Sequence, residues 1–114
     1  MQIVDKPWGH EKIWAKTDKY VGKFLYINSN SKLSLQYHVK KEETINVLEG
    51  RLYLHYGGKS GQKVTVLSPG ESFHIKPKMV HRFEARDVPV ILLEVSTPEL
   101  HDVVRLEDDY ERAG

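Results

Sequence analysis

Four side chains of the 114-residue sequence combine types and spacing that could hold a metal ion. In Leu33-Ser34-Leu35-Gln36-Tyr37-His38, a strand's period of two puts Ser34, Gln36 and His38 on one face and Leu33, Leu35 and Tyr37 on the other. Glu43 follows His38 by five residues and opens the next strand, sharing its face with Ile45 and Val47. Gly50 closes that strand, and His81 opens a later one after the Lys76-Pro77 break. Gln36, His38, Glu43 and His81 together offer two imidazoles, one carboxylate and one amide oxygen. That set suits one divalent first-row ion per chain, zinc first, with manganese, iron, cobalt and nickel accepting the same donors. A single anionic ligand leaves net positive charge at the ion, which can hold a developing oxyanion. A lone strand histidine is more often a hydrogen-bonded surface or core residue, and His10, His55, His74 and His101 are read that way. The four donors converging on one inner face favour the metal.

The elements that must position these groups are short strands. Between Tyr20 and Ser96, runs of Val, Ile, Leu, Tyr and Phe alternate with Gly, Pro, Asn and Ser breaks. Strands are expected at Val21–Asn28, Lys32–Tyr37, Thr44–Leu48, Arg51–Tyr56, Lys63–Leu67, Ser72–Ile75, His81–Ala85 and Val90–Ser96. Even spacing without a long helical period predicts an all-β sandwich or jelly-roll barrel. Thr97-Pro98-Glu99 carries an N-cap, a proline at the first helical position and an acid, so a short helical turn or an extended tail follows. The charged stretch from Asp108 to Gly114 reads as a mobile tail.

Composition narrows the classes. The length predicts a single domain over residues 1–114. No cysteine is present, which removes disulfides, thiolate metal sites and cysteine nucleophiles. Seventeen basic residues against sixteen acidic ones give a net charge of +1, unlike a nucleic-acid footprint. No apolar run reaches the ~18 residues of a membrane helix. The opening Met1-Gln-Ile-Val-Asp-Lys-Pro-Trp8 lacks a signal-peptide core, so a cytoplasmic protein with no membrane partner is expected. Trp8 and Trp14 read as packing residues, with the N-terminal aromatics compatible with a homodimer.

The site residues resemble the two cupin motifs, in which histidines, a glutamate and a glycine join a second-motif histidine around a metal. Here Gln36 stands where the first cupin histidine usually does. The string Ser34-Leu-Gln-Tyr-His38 with Glu43 is similar to the type II phosphomannose isomerase domain, a cupin found alone or behind mannose-1-phosphate guanylyltransferase. The likeness begins at Lys6-Pro-Trp-Gly9 and runs through Tyr20, Lys23, Gly50 and Pro69-Gly70-Glu71. It continues in His81-Arg82-Phe-Glu84 and Leu93-Glu94-Val95-Ser96, and ends in Asp102–Asp108, Tyr110 and Arg112. It implies a cupin double-stranded β-helix, a metal on Gln36, His38, Glu43 and His81, and interconversion of mannose-6-phosphate and fructose-6-phosphate. Val39 and Lys40 replace histidines common in the family. Ser29 and Asn30 replace a turn proline and glycine, and Lys78 and Glu111 replace glycines. These departures fall on the rim and tail, where specificity resides.

An aldose–ketose isomerase moves a proton between adjacent carbons through an enediolate and must stabilise that charge. Lys23 faces inward by parity with Leu25 and Ile27, and burial beside a metal would lower its pKa and let it act as the base. A sugar phosphate also needs a cationic anchor. Arg105 and Arg112 are the candidates, Arg82 being third because its neighbour His81 takes the inward position. Ser34, on the face of Gln36 and His38, is a further candidate substrate contact. A cupin dioxygenase and a non-catalytic sugar-binding cupin are the alternative readings; three-histidine iron sites are commoner in the former, and Gln36 counts against it.

Overall fold

A computed structural model describes residues 1–99 and 101–109, and within them every regular element is a β-strand. In chain order these are β1 (Gln2–Lys6), β2 (Gly9–Lys16), β3 (Val21–Ile27), β4 (Ser31–Lys32), β5 (Leu35–Tyr37) and β6 (Glu43–Glu49). They continue as β7 (Leu52–Tyr56), β8 (Lys63–Leu67), β9 (Ser72–Ile75), β10 (His81–Ala85), β11 (Val90–Ser96) and β12 (Val104–Glu107). One sheet runs β1-β2-β3-β11-β6-β9; the other runs β12-β5-β10-β7-β8, with β4 also on β10. Two antiparallel sheets closing on a shared interior form the double-stranded β-helix. No helix among the described residues is long and apolar enough to cross a membrane.

The interior changes character along its length, and the cause is visible in each strand. Inward positions run Ile27, Leu25, Lys23 on β3 and Val47, Ile45, Glu43 on β6. They run Val90, Leu92, Glu94 on β11 and Ala85, Phe83, His81 on β10. Register aligns the apolar members, Ile27 opposite Val90 and Leu25 opposite Leu92, so they fill one end as a dry core. The same register sets Lys23 opposite Glu94 at the other end. Burying charge there is costly unless each group is paired or holds an ion.

Gly50 fixes the β6–β7 turn. Its φ is +84°, and an added Cβ would lie 2.3 Å from the Pro89 carbonyl oxygen. Gly50→Ala combines left-handed strain with a backbone clash and is expected to cost about 2–3 kcal/mol. An unchanged urea midpoint in that variant would contradict this account of the turn.

The structure adds to the expected strands and corrects one of them. Ahead of them, β1 and β2 form a hairpin that extends the first sheet beyond β3. The strand expected over Lys32–Tyr37 is split at Leu33-Ser34, where the Leu33 N–H donates to the Phe83 carbonyl and the Leu33 carbonyl accepts from Arg82 Nε at 2.7 Å. Of the two continuations open after Thr97, the extended one is found among the described residues: Val104–Glu107 pairs with β5. Asp109, in the charged tail, lies 3.6 Å from Lys32 Nζ. Trp8, 2 % exposed, belongs to the core, whereas Trp14 is half exposed over Gly22 and Phe24.

Candidate metal centre

Local chain geometry brings three of the four expected donors together. His38 lies just beyond β5, Glu43 opens β6 and His81 opens β10. His38 Nδ1 lies 2.6 Å from the Asp102 carbonyl oxygen and His81 Nδ1 2.9 Å from that of Met79. A carbonyl only accepts, so both Nδ1 atoms carry the proton and both Nε2 atoms keep a free lone pair. Those lone pairs face Glu43: His38 Nε2 is 3.8 Å from Oε2 and His81 Nε2 is 3.7 Å from Oε1. The ligand atoms of the three residues lie within 4.8 Å of one another. Among the described residues both Nε2 atoms are buried without a hydrogen-bond partner, while Glu43 Oε2 is ion-paired with the Lys41 ammonium at 3.1 Å. Orphaned buried polar atoms are rare in a folded chain, and here two converge on one carboxylate. Donors about 2 Å from a shared cation would stand at similar separations, so these residues fit a divalent ion.

A cavity of about 320 Å³ opens beside them, and His38, Glu43 and Gln36 line it. Gln36 is the cross-strand partner of His81 on one side and of Arg105 on the other, so the three form a row across the second sheet. Ser34 donates to Gln36 Oε1 at 2.9 Å and thereby fixes the amide. Arg105 also lines the cavity, and its Nε is buried without a hydrogen-bond partner among the described residues. Arg112 lies outside the described residues. Arg82 is buried and spends its guanidinium on the carbonyls of Leu33 and Glu107, which braces the β4–β5 break and leaves it out of the cavity lining.

Lys23 is buried and lines the cavity, with Nζ 3.4 Å from Glu11 Oε1 and 4.0 Å from Glu94 Oε2. Its ammonium is therefore an ion-paired donor in this state. Of the other histidines, His10 stacks on Tyr26, His55 pairs with Glu84 and His74 with Glu42, all structural contacts. His101 is exposed, as a surface histidine would be, and also lines the cavity.

Sequence reasoning does not identify four residues that shape the site. Lys41, 5 % exposed, places Nζ 3.1 Å from Glu43 Oε2 and 3.4 Å from Glu94 Oε2. Burial works against its charge, but the carboxylates of Glu94 and Glu43 outweigh that and hold its pKa above the ordinary lysine value. Glu94 and Glu11 are the second and third; the parity of Leu92, Glu94 and Ser96 was the signal available for Glu94. The fourth, Asp102, accepts the backbone N–H groups of Val39, Lys40 and Lys41, at 3.2, 2.6 and 3.0 Å. Those bonds, that from Lys40 foremost, hold its carboxyl below the usual range. One residue thus clamps the loop and, through its carbonyl, orients His38. Burial, and then the nearby Lys41 ammonium, lowers the His38 pKa to about 4, which keeps Nε2 unprotonated and able to ligate at neutral pH.

Solved structures share this fold at low sequence identity. KdgF from Halomonas sp. superposes with a TM-score of 0.77 at 17% identity, covering 90% of each chain. An RmlC-like cupin from Shewanella frigidimarina gives 0.76 at 19% identity, covering 89% of this chain and 86% of that one. Bacillus subtilis oxalate decarboxylase, studied for its Mn(II) centres, gives 0.77 at 16% identity; the match covers 93% of this chain and 30% of the decarboxylase. No curated protein matches the sequence. The family model for the mannose-6-phosphate isomerase C-terminal domain, by contrast, matches residues 1–108, the span that holds every donor described above. A cupin barrel with two imidazoles and a carboxylate at its polar end, matched over nearly its whole length, places this chain in the mannose-6-phosphate isomerase C-terminal family.

Proposed function

We propose that the chain is a metal-dependent aldose–ketose isomerase that interconverts mannose-6-phosphate and fructose-6-phosphate. The observation that carries this reading is the convergence of two partnerless imidazole nitrogens on the buried Glu43 carboxylate, beside a cavity that Arg105 also lines, in a chain of this family. His38, Glu43 and His81, with Gln36 beside them, would hold a divalent ion, zinc first. When bound, that ion supplies Lewis-acid stabilisation of negative charge on adjacent sugar oxygens.

The chain's own groups account for the rest of the reaction. The interconversion is redox-neutral: the C2 proton leaves, a proton is delivered to C1, and a hydroxyl proton passes between O1 and O2. Lys23 and Glu11, 3.4 Å apart in the cavity lining, are the acid–base pair of the proposal, one donating as the other accepts. Ser34 acts through Gln36, whose amide it fixes. Charge supports a phosphorylated substrate. Glu11, Glu43 and Glu94 against Lys23 and Lys41 leave one negative charge in the buried chain. A divalent ion reverses that sign, and Arg105 adds a second positive charge, which matches a phosphate of about −1.5 to −2.

The reading is tested by fructose-6-phosphate formation from chelated protein, alone and after adding zinc, manganese, cobalt or nickel. Turnover restored by metal supports it, and silence under every metal sinks it. Arg105→Ala should raise KM for mannose-6-phosphate about 10- to 100-fold, the worth of charge-assisted bonds to phosphate, with metal content unchanged. An unaltered KM would move the anchor elsewhere.

A further inference from the structure

Charged side chains of alternating sign cross four neighbouring strands of the first sheet. Glu11 on β2 meets Lys23 on β3 at 3.4 Å, and Lys23 lies 4.0 Å from Glu94 on β11. Glu94 meets Lys41 at 3.4 Å, and Lys41 reaches Glu43 on β6 at 3.1 Å. The chain therefore ends on a residue assigned to the metal. Lys41 is delivered by the loop that Asp102 clamps, so its ammonium is fixed rather than roaming. It is 5 % exposed, beside a carboxylate that is 2 % exposed.

From this geometry we infer that Lys41 is an internal counter-cation of the metal centre, a positioning residue that neutralises Glu43 when no metal is bound and limits how tightly a divalent ion is held. Two carboxylates buried this deeply would repel each other and the low-dielectric interior without a cation between them. Lys41 supplies that cation, so the site keeps its shape before metal arrives. The same ammonium then stands close to any ion on Glu43 and opposes its charge. Its second partner, Glu94, does the reverse: it draws the ammonium toward itself and adds negative charge near the site. A packing residue would affect stability alone. A counter-cation changes metal affinity in a direction fixed by its sign.

The inference rests on the metal reading of His38, Glu43 and His81, and its test separates the two. Zinc affinity is measured by competition with a chromophoric chelator, and melting temperature is recorded with chelator and with zinc. Failure of the native chain to bind zinc would remove the metal reading itself. If the native chain binds, Lys41→Met is expected to bind zinc about tenfold tighter. Its metal-free melting temperature should fall by about 10 °C or more, and zinc should recover most of that loss. Lys41→Arg, which keeps the charge, should return affinity to within about threefold of native. Zinc affinity unchanged or weakened in Lys41→Met would overturn the inference. If Lys41→Met cannot be obtained folded, Glu94→Gln gives the opposite sign test. Losing that negative charge should weaken zinc binding severalfold, and unchanged or tighter binding there would also overturn it.

Discussion

His81→Ala is expected to lose tight zinc retention and to cut isomerase turnover roughly a thousandfold, because metal charge stabilisation is worth several kcal/mol and each ~1.4 kcal/mol is tenfold. The imidazole is fully buried, and its Nδ1–H is committed to the Met79 carbonyl. The Nε2 lone pair, without a hydrogen-bond partner among the described residues, faces Glu43 Oε1 at 3.7 Å. Alanine also leaves a small cavity beside Phe83, so loss of activity alone would be ambiguous. The discriminating control is His55→Ala. His55 pairs with Glu84 at 2.8 Å, outside the cavity lining, and its loss should leave both zinc content and turnover near native. Zinc stoichiometry by atomic absorption, alongside a melting curve, decides the matter. A folded His81→Ala protein that keeps one zinc per chain would remove His81 from the centre.

The arrangement shows how a jelly-roll makes a polar site without weakening its core. On β3, β11 and β6, neighbours in the first sheet, and on β10 of the second, apolar inward positions give way to Lys23, Glu94, Glu43 and His81 toward one end. The strands already fix backbone hydrogen bonding along those rows. Changing an inward residue toward that end therefore alters chemistry and leaves the ladder intact. The second sheet contributes differently. Arg105, Gln36 and His81 come from β12, β5 and β10 and meet only through antiparallel register. The β12 segment thus brings Arg105 into the cavity, and the connection before it brings Asp102 to the loop that carries His38.

Much of this was legible in the chain, for reasons that differ by region. From β3 to β11, period-two alternation on β-branched and aromatic residues is strong, and boundaries such as Lys63–Leu67 and His81–Ala85 coincide with the expected ones. The β1–β2 hairpin lacks that signal. Its cavity-facing residues include Lys6, Glu11 and Lys16, so charge falls on the side that would otherwise be apolar. At Thr97-Pro98-Glu99 the local cap chemistry is present, yet the chain goes on to pair with β5, about 70 residues away in sequence, and long-range pairing outweighs local propensity.

The candidate site shows the same division. His38, Glu43 and His81 are recognisable by type because few other functions gather those side chains on inward strand positions. Lys41 sits in Lys40-Lys41-Glu42-Glu43, a run that looks like a solvated turn, and burial is what gives it a role. Asp102 is harder still. It acts on backbone N–H groups more than 60 residues earlier, and no side-chain pattern encodes that contact.

Acid should destabilise the metal-free protein through His38. Its pKa is about 4 in the fold against an ordinary value of 6.5, so between those limits the unfolded chain binds the extra proton and the native chain does not. Stability is then fully present above pH 6.5 and declines as pH falls toward 4, by about 3 kcal/mol at 1.36 kcal/mol per unit. The physical cost is that a protonated imidazole would be buried beside the Lys41 ammonium. Asp102, whose carboxyl is held below its usual range, stays ionised through most of this window, so the loop clamp does not mask the effect. Urea midpoints of chelated protein at pH 7 and pH 4.5 measure the slope directly. His38→Gln should be less stable at pH 7 yet lose distinctly less on acidification, because its side chain cannot take up the proton. Zinc should steepen the acid sensitivity of the native chain, since proton and ion compete for the same Nε2 lone pair. An identical pH slope in native and His38→Gln proteins would show that another group carries the acid response and that the imidazole is not held neutral as the geometry requires.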